Sequence, residues 1–519
     1  MTDIKTPTMQ DRIAELRQRQ SRALEMGGEA GLAKHRASGR LPVRERVELL
    51  IDEGSWFEIG ALGLPELRTA KHVPGDAAVT GFATLDGRNI GVIGIDSSVL
   101  AGTTAPTSMR KQGRLIEIAQ KNGYPIVLLC DADGGRIPDV MGWRFSHLPL
   151  DFKTFLKPTD GGPIVPRAAA VLGPSYGDSA LHASTAHFVC MTRSSSLALV
   201  GPSIVEQATG EVLTDTDLGG PDKALAIGNA HMAVETEADA IDALGAFLSF
   251  LPANSNLPAP VSPPRAPRTD PAELEHIVPL GKKSGYDMRR VIEAIADADS
   301  ILPWADEWGA SLLTCLARLD GNPVGIIANQ PVVKAGALDA HALSKELDFV
   351  DLCDTFNLPL IFLHDVPGLM VGSEAERSGI LKVYEKLALR ISTATVPKLG
   401  VVIRKAYGGG HFAMGGRPTH PDFLFAWPSA ELGFMAPETG VRTIYRRKLE
   451  DEFERGGIEA RDALAESLEV EWTAESEPWE AAAHLSIDDV IEPGQTRSKL
   501  IQALNFAWGE RPRVSNSKG

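Results

Sequence analysis

Val79-Thr80-Gly81-Phe82-Ala83-Thr84-Leu85-Asp86-Gly87-Arg88 is answered 234 residues later by Leu313-Thr314-Cys315-Leu316-Ala317-Arg318-Leu319-Asp320-Gly321-Asn322. Pro125-Ile126-Val127-Leu128-Leu129-Cys130-Asp131 returns at the same separation as Pro359-Leu360-Ile361-Phe362-Leu363-His364-Asp365. A third block runs from Val165-Pro166 to Gly173-Pro174-Ser175-Tyr176-Gly177-Asp178. It is matched from Val396-Pro397 to Lys405-Ala406-Tyr407-Gly408-Gly409-Gly410, at an offset of 231. Short coincidences are common, but ordered blocks at nearly one separation predict a duplicated domain, and paired domains often build one site between them.

Working outward, each copy holds a short apolar run just after an Asp-Gly turn, Gly91-Val92-Ile93-Gly94-Ile95 and Gly325-Ile326-Ile327-Ala328, which predicts a β-hairpin in both halves. Helical stretches follow at 107–123 and 340–357. The next strands, Ile126 to Cys130 and Leu360 to His364, are apolar throughout, as strands covered on both faces must be. The fold class is therefore α/β, with two duplicated domains. Two further helices are predicted near the start, a thinly apolar surface helix over 9–25 and a second over 42–51. The proline-rich stretch near the middle reads as a linker, so that domain 1–256 is followed by linker 257–284, domain 285–510 and a flexible tail 511–519.

A chain of 519 residues is too long for one ordinary core and suits two domains. Its net charge of −16 argues against nucleic acid, which requires clustered Lys and Arg. Cys130, Cys190, Cys315 and Cys353 stand singly, without the close pairs of zinc or redox motifs, and read as buried free thiols. The first thirty residues are rich in Arg, Gln and Glu and lack the apolar core of a secretory signal, and no uncharged apolar stretch could span a membrane. A cytoplasmic protein is the expectation.

In each half two apolar strands run into glycine-rich loops. The first half has Asp131-Ala132-Asp133-Gly134-Gly135-Arg136 and the segment ending Gly177-Asp178; the second has Asp365-Val366-Pro367-Gly368 and Tyr407-Gly408-Gly409-Gly410. Consecutive glycines after a strand turn sharply and present bare N–H groups, the donors that stabilise an oxyanion. The alternative is a plain strand-to-helix turn, and the matching loop in the second half shifts the balance towards function. There is no phosphate-binding loop, no nucleophile elbow and no histidine pair at metal-ligand spacing. Tyr407, His411 and Arg417 flank the second glycine loop as further candidates for ligand contact. A site rich in backbone donors and poor in nucleophiles suits stabilising an enolate rather than covalent attack.

At these residues the chain resembles the carboxyltransferase (β) subunits of biotin-dependent acyl-CoA carboxylases, within the crotonase superfamily. The segment from Gly39 to Ser55 is similar to the family's opening helix. Ala328-Asn329-Gln330-Pro331, Ala335-Gly336-Ala337-Leu338-Asp339, Asp365-Val366-Pro367-Gly368 and Arg404-Lys405-Ala406-Tyr407-Gly408-Gly409 are similar to its second-half signatures, and the likeness extends from about Gly39 to about Tyr445. The resemblance implies two crotonase-like domains with ββα superhelical layers, the first holding a CoA thioester and the second carboxybiotin on a swinging carrier. They would meet at a dimer interface, usually within a hexamer. Carboxybiotin would release CO2, the biotin anion would take the thioester's α-proton, and the enolate would attack CO2.

On this sequence the resemblance puts the thioester hole at Gly134 and Gly135 and the biotin hole at Gly409 and Gly410, with Asp133, Arg136, Gly177, Asp178, Tyr407 and Gly408 as substrate-binding positions. The chain carries no Ala-Met-Lys-Met biotinylation site and no ATP-grasp-like region, so a biotin carboxylase and a biotin carboxyl carrier are implied as partners, with no metal in this chain. It departs from the family in the first half. Asp133 stands where the family's Ser-Gly-Gly-Ala-Arg has its first glycine, and Gly177-Asp178-Ser179 replaces Gly-Gly-Ala. A carboxylate beside a developing enolate opposes the chemistry unless it points away. A typical biotin half and an atypical acyl half imply the usual carboxyl donor with an unusual acceptor. Two other readings share the motifs: a biotin-dependent decarboxylase, and a non-catalytic paralogue that scaffolds a complex.

Overall fold

In the computed structural model of the chain, residues 7–67, 73–150, 162–281 and 284–509 are described. They fall into two units, divided between Leu257 and Pro258. The first contains β1 (Phe57–Ile59), β2 (Ala78–Leu85), β3 (Arg88–Ile95), β4 (Ile126–Asp133), β5 (Arg167–Tyr176), β6 (Phe188–Thr192), β7 (Ser196–Ala198) and β8 (Met232–Val234), in the order β1-β2-β3-β4-β5-β6-β8 with β7 beside β5. The second contains β9 (Leu302–Pro303), β10 (Leu312–Leu319), β11 (Asn322–Asn329), β12 (Leu360–Val366), β13 (Lys398–Tyr407), β14 (Phe423–Ala426), β15 (Glu431–Gly433) and β16 (Asp489–Val490). Its order, β9-β10-β11-β12-β13-β14-β16 with β15 beside β13, repeats the first strand for strand.

The repeated Asp-Gly turns close antiparallel hairpins, β2–β3 and β10–β11. Both residues of each turn have positive φ, +50° and +74° at Asp86-Gly87 and +53° and +77° at Asp320-Gly321, which matches the right-handed twist of the flanking strands. From β3 and β11 onward the pairings are parallel. Helix α1 (Pro106–Asn122) crosses between the first of these strands, starting on Pro106 and ending at the left-handed Gly123. It packs so closely that a Cβ on Gly91 would lie 2.9 Å from Leu115. The counterpart helix in the second unit, Ala340–Thr355, comes still closer, and a Cβ on Gly325 would lie 2.4 Å from the Cys353 sulfur. All residues of β12 and β13 are buried, as expected of central parallel strands.

The helices expected over 9–25, 42–51, 107–123 and 340–357 are present as Met9–Leu24, Val43–Leu50, Pro106–Asn122 and Ala340–Thr355, and all four cysteines are free and buried. The proline-rich segment differs from its reading as a linker. Residues from Pro258 onward are bound along the second unit: the Ser262 amide donates to the Gly321 carbonyl, that of Arg265 to Asp297, and Leu274 is buried. Proline leaves its own nitrogen without a hydrogen, but its neighbours still donate, so a proline-rich chain can line a surface in extended form. The expected tail 511–519 lies outside the described residues. Among the described residues, no helix is long and apolar enough to cross a membrane.

Both central strand pairs break register at the same place. Cys130 pairs with Val171 but Ala132 with Ser175, and His364 pairs with Val402 but Val366 with Ala406. Within each break lies a buried carboxylate. Asp131 accepts from Arg40 at 2.8 Å, Arg46 at 3.0 Å and the Ser97 hydroxyl at 2.7 Å, and Arg46 also binds Glu237 at 2.6 Å. Asp365 is gripped by Arg404, whose Nε and Nη2 lie 2.9 and 2.8 Å away. Burial pulls the Arg46 pKa down, but Glu237 and Asp131 more than offset this and the net direction is up. Breaking such a cluster leaves uncompensated buried charge, so Asp131→Ala is expected to lower the unfolding free energy by about 3–5 kcal/mol, read from urea denaturation.

Candidate active site

The loop after β4 is held by a neighbouring segment. Gly134, at φ +76°, offers its carbonyl to the Thr104 amide at 2.9 Å, and the Arg136 amide donates to the Thr104 carbonyl at 2.7 Å. Thr104 and Gly135 thus form a short parallel bridge, in which the Gly135 N–H is directed away from Thr104. The second unit repeats this with Leu338, whose amide donates to Gly368 at 3.2 Å and whose carbonyl accepts from Met370 at 2.8 Å.

The loop after the next strand turns on glycine in both units. Gly177 (φ +64°) follows β5 and leads into α2 (Asp178–Ser184), and Gly408 (φ +52°) follows β13 and opens helix α4 (Gly408–Ala413), α3 being the crossover helix Ala340–Thr355. The two loops touch within each unit. A Cβ on Gly177 would lie 3.5 Å from the Gly134 Cα, and one on Gly410 would lie 2.8 Å from the Gly368 Cα. No side chain caps α4, so its first N–H groups have no capping partner from a side chain.

Strand register decides which positions correspond. Because Ala132 pairs with Ser175 and Val366 with Ala406, Gly177 matches Gly408, Asp178 matches Gly409 and Ser179 matches Gly410. Gly134 and Gly135 instead match Gly368 and Leu369. The two glycine pairs singled out in the sequence therefore stand on different loops of the repeat. The drop in offset from 234 to 231 between the second and third blocks is the signal that marks this.

The structure brings Asp133, Gly134, Gly135, Gly177 and Asp178 together in the first unit, and Tyr407 to Gly410 in the second. Their side chains take different directions. Asp133 is exposed on the floor of an open groove of about 840 Å³, and its pKa is raised by partial burial and by the neighbouring Asp215. Lys34, Arg40, Ser97, Pro174 and Asp215 also line that groove. Asp178 points inward, accepting from the Thr104 hydroxyl at 2.7 Å. Burial raises its pKa against the pull of Thr104 and of the first amides of α2. Those amides lie near the carboxylate without completing a hydrogen bond, and Oδ2 is buried with no partner.

Arg136 is turned into the interior, paired with Asp76 and donating to the Thr103 carbonyl at 2.7 Å, so its guanidinium supports the loop from behind. Tyr407 donates to Glu431 as Tyr176 donates to Asp215, and burial raises both phenol pKa values. His411 is half-buried beside His364, while the Arg417 guanidinium binds Asp488 at 3.1 Å.

Sequence reasoning missed a strained turn bordering each loop pair. Leu100-Ala101-Gly102 has φ of +48°, +55° and +67°, and Lys334-Ala335-Gly336 has +49°, +55° and +82°. A Cβ on Gly102 or Gly336 would lie 2.4 or 2.6 Å from the carbonyl oxygen of Asp131 or Asp365. Left-handed backbone at non-glycine residues is costly and clusters at functional sites. Its only sequence signal was the repeated Ala-Gly pair.

The model of the carboxyl transferase domain family matches residues 34–518. The propionyl-CoA carboxylase carboxyltransferase subunit of Haloferax mediterranei is 34% identical, over 98% of this chain and 99% of its own. The methylmalonyl-CoA decarboxylase subunit alpha of Veillonella parvula is 32% identical, over 98% of each. Among solved structures, a transcarboxylase 12S hexamer with methylmalonyl-coenzyme A and methylmalonic acid bound superposes with a TM-score of 0.90 at 33% identity, over 100% of this chain and 99% of that one.

Four histidines, His182 and His364 buried and His231 and His411 half-buried, make the fold acid-sensitive. Burial lowers His182 and His231 to about 3 and His411 to about 4, and burial with His411 nearby holds His364 well below its usual value. The unfolded chain, with histidines near 6.5, takes up protons first as pH falls, so the stability is complete above about pH 6.5 and is lost towards about pH 4. Urea midpoints should decline across that window, less steeply in His364→Leu. A flat profile would contradict neutral buried imidazoles.

Proposed function

The chain belongs to the carboxyl transferase family, and on that premise we propose that it moves a carboxyl group from biotin, borne on a separate carrier protein, to the α-carbon or a vinylogous carbon of an acyl-CoA. The observation that carries this reading is the twice-built pair of touching loops at strand ends, with backbone N–H groups where a nucleophile or base would otherwise stand. Charge develops on the thioester oxygen as the enolate forms, and fixed amide donors in a site shielded from water stabilise it without reorganising.

In the first unit the thioester oxygen is assigned to the amides of Gly134 and Gly135. The groove of about 840 Å³ beside them, lined by Lys34 and Arg40 together with Asp131, Asp133 and Asp215, is assigned to the CoA thioester. In the second unit Gly408, Gly409 and Gly410 fit the planar, neutral head of biotin. Gly410 closes on Gly368 too tightly for any side chain, and a Cβ on Gly409 would lie 3.3 Å from Leu369 and from the Tyr384 hydroxyl. Bound carboxybiotin supplies the carboxyl group. The chain's residues bind, orient and hold charge. Tyr176 and Tyr407, tied to Asp215 and Glu431, serve as braces behind the loops rather than as bases. Asp178 is directed away from the groove, whereas the Asp133 carboxylate on its floor favours an acceptor other than the simplest apolar acyl groups.

A biotin carboxylase and a biotin carboxyl carrier protein belong to the proposal as partners, as does a hexamer in which each centre is shared between copies. The transcarboxylase hexamer supports the assembly. The four buried, unpaired thiols support a cytoplasmic location, where thiols stay reduced. Decarboxylation is the second reading, favoured by the Veillonella relative.

Gly409→Val separates these readings from a scaffold role. The nearest neighbours of a Cβ there are the ends of two side chains, Leu369 and Tyr384, at 3.3 Å, which can shift, so the fold should tolerate it. Carboxyl transfer between a methylmalonyl-type CoA ester and free biotin should fall by about 10²–10³-fold. Full activity would remove the biotin site from Gly409. Wild-type protein that transfers nothing, with any thioester and in either direction, would favour the scaffold.

A further inference from the structure

The two copies join their loops by different means. In the second unit Gly410 lies against the Gly368 main chain and the Val366 side chain, where a Cβ would come within 2.8 and 2.7 Å, so the loop after β12 packs directly onto the glycine start of α4. The first unit has Ser179 at the matching position, and its side chain excludes so close an approach. A hydrogen bond spans the gap instead. The Thr104 hydroxyl donates to Asp178 Oδ1 at 2.7 Å, while the Thr104 main chain holds the loop after β4 through Gly134 and Arg136. The second unit has no equivalent bond, since the corresponding residues are Leu338 and Gly409.

Among the described residues no cation pairs with Asp178. Its Oδ2 is buried and unpartnered, as is Nε2 of Gln112, and both residues line a small cavity of about 10 Å³, room for about one water. The second unit carries its carboxyl group on the opposite wall. Glu346 on α3 takes the place of Gln112 and is wholly buried with neither oxygen partnered. Each copy thus keeps a buried carboxyl at one of these two matched positions, and only in the first does it belong to the loop and tie it down. Keeping a buried carboxyl without a cation is costly. The return on that cost in the first unit is a fixed spacing between two loops that glycine contact cannot set.

Resting on the function proposed above, we propose that Thr104 and Asp178 are positioning residues of the acyl side. Their hydrogen bond clamps the Gly134–Gly135 loop to the first turn of α2, so that the amides facing the thioester keep one separation throughout the reaction. The clamp acts through the backbone and touches no substrate. Its loss therefore alters the rate of the chemical step more than the binding of CoA.

Thr104→Val removes the hydroxyl at nearly constant volume, Thr104→Ser keeps it, and Asp178→Ala removes the acceptor from the other side. Two measurements on the full chain decide the matter: kcat and KM for carboxyl transfer from a methylmalonyl-type CoA ester to free biotin, and amide hydrogen exchange over residues 133–140 and 177–184. Thr104→Val and Asp178→Ala should each lower kcat by about tenfold or more, as a small misplacement of catalytic donors does. KM should stay within about threefold, exchange should rise in both segments together, and Thr104→Ser should behave as the wild type. Unchanged kcat in both variants, or an exchange increase confined to one segment, would overturn the clamp. If the wild type transfers no carboxyl group, the functional reading fails, and joint or separate exchange of the two loops still decides whether they are clamped.

Discussion

A buried carboxylate at the break between the two central strands is the constraint on which each unit depends. Asp131 and Asp365 sit where β4 and β12 lose register with β5 and β13. Beyond that break β5 and β13 acquire short additional partners, β7 and β15, and end in the glycine turns that open α2 and α4. An ionised carboxylate withdrawn from water is stabilised by pairing, and here the pairing doubles as a pin for the irregular strand. The cation is supplied differently in the two copies. Arg404 stands in β13 itself, whereas the matching position in β5 is Gly173, where a Cβ would lie 2.3 Å from the Asp131 carboxylate. Glycine leaves room for Arg40 and Arg46, which reach the same carboxylate from the N-terminal segment.

Around that frame the copies have kept the costly features and exchanged the adaptable ones. Lys111 and Lys345 are matching buried lysines that donate to backbone carbonyls, Gly75 and Ala78 for the first, Ala305 and Leu312 for the second. Burial lowers them to about 8 and about 7. One residue further on, Gln112 and Glu346 differ; at the strand, so do Cys130 and His364; at the loop, Asp178 and Gly409. These differences gather behind the loop pairs. One copy has a bare glycine helix start, and the other has a side-chain hydrogen bond between its loops and Asp133 lining an open groove.

Much of this was legible in the residues alone. The Asp-Gly pairs fix hairpin turns by local sterics, the unbroken apolar runs demand strands covered on both faces, and isolated cysteines in such runs are buried thiols. The spacing of repeated blocks exposes the duplication without any knowledge of contacts. The candidate loops were found because glycine after a strand is a local signal. What each loop's side chains do was not. Arg136 looked available to a substrate and is spent on Asp76, 60 residues away in sequence, while the proline-rich segment read as a linker is bound along the second unit.

The sequence by itself determined the two-fold α/β architecture, the strand-end loops and the family to which the residues point, because periodicity, turn chemistry and repetition are properties of neighbouring residues. Only the tertiary structure decided which positions of the two copies correspond, that Asp178 faces inward while Asp133 faces the groove, and that Thr104 joins two loops. Thr104 and Asp178 stand 74 residues apart and meet only because parallel crossovers bring their segments side by side. A hydrogen bond of that kind depends on strand register, which side-chain pattern constrains only to the alternation of faces.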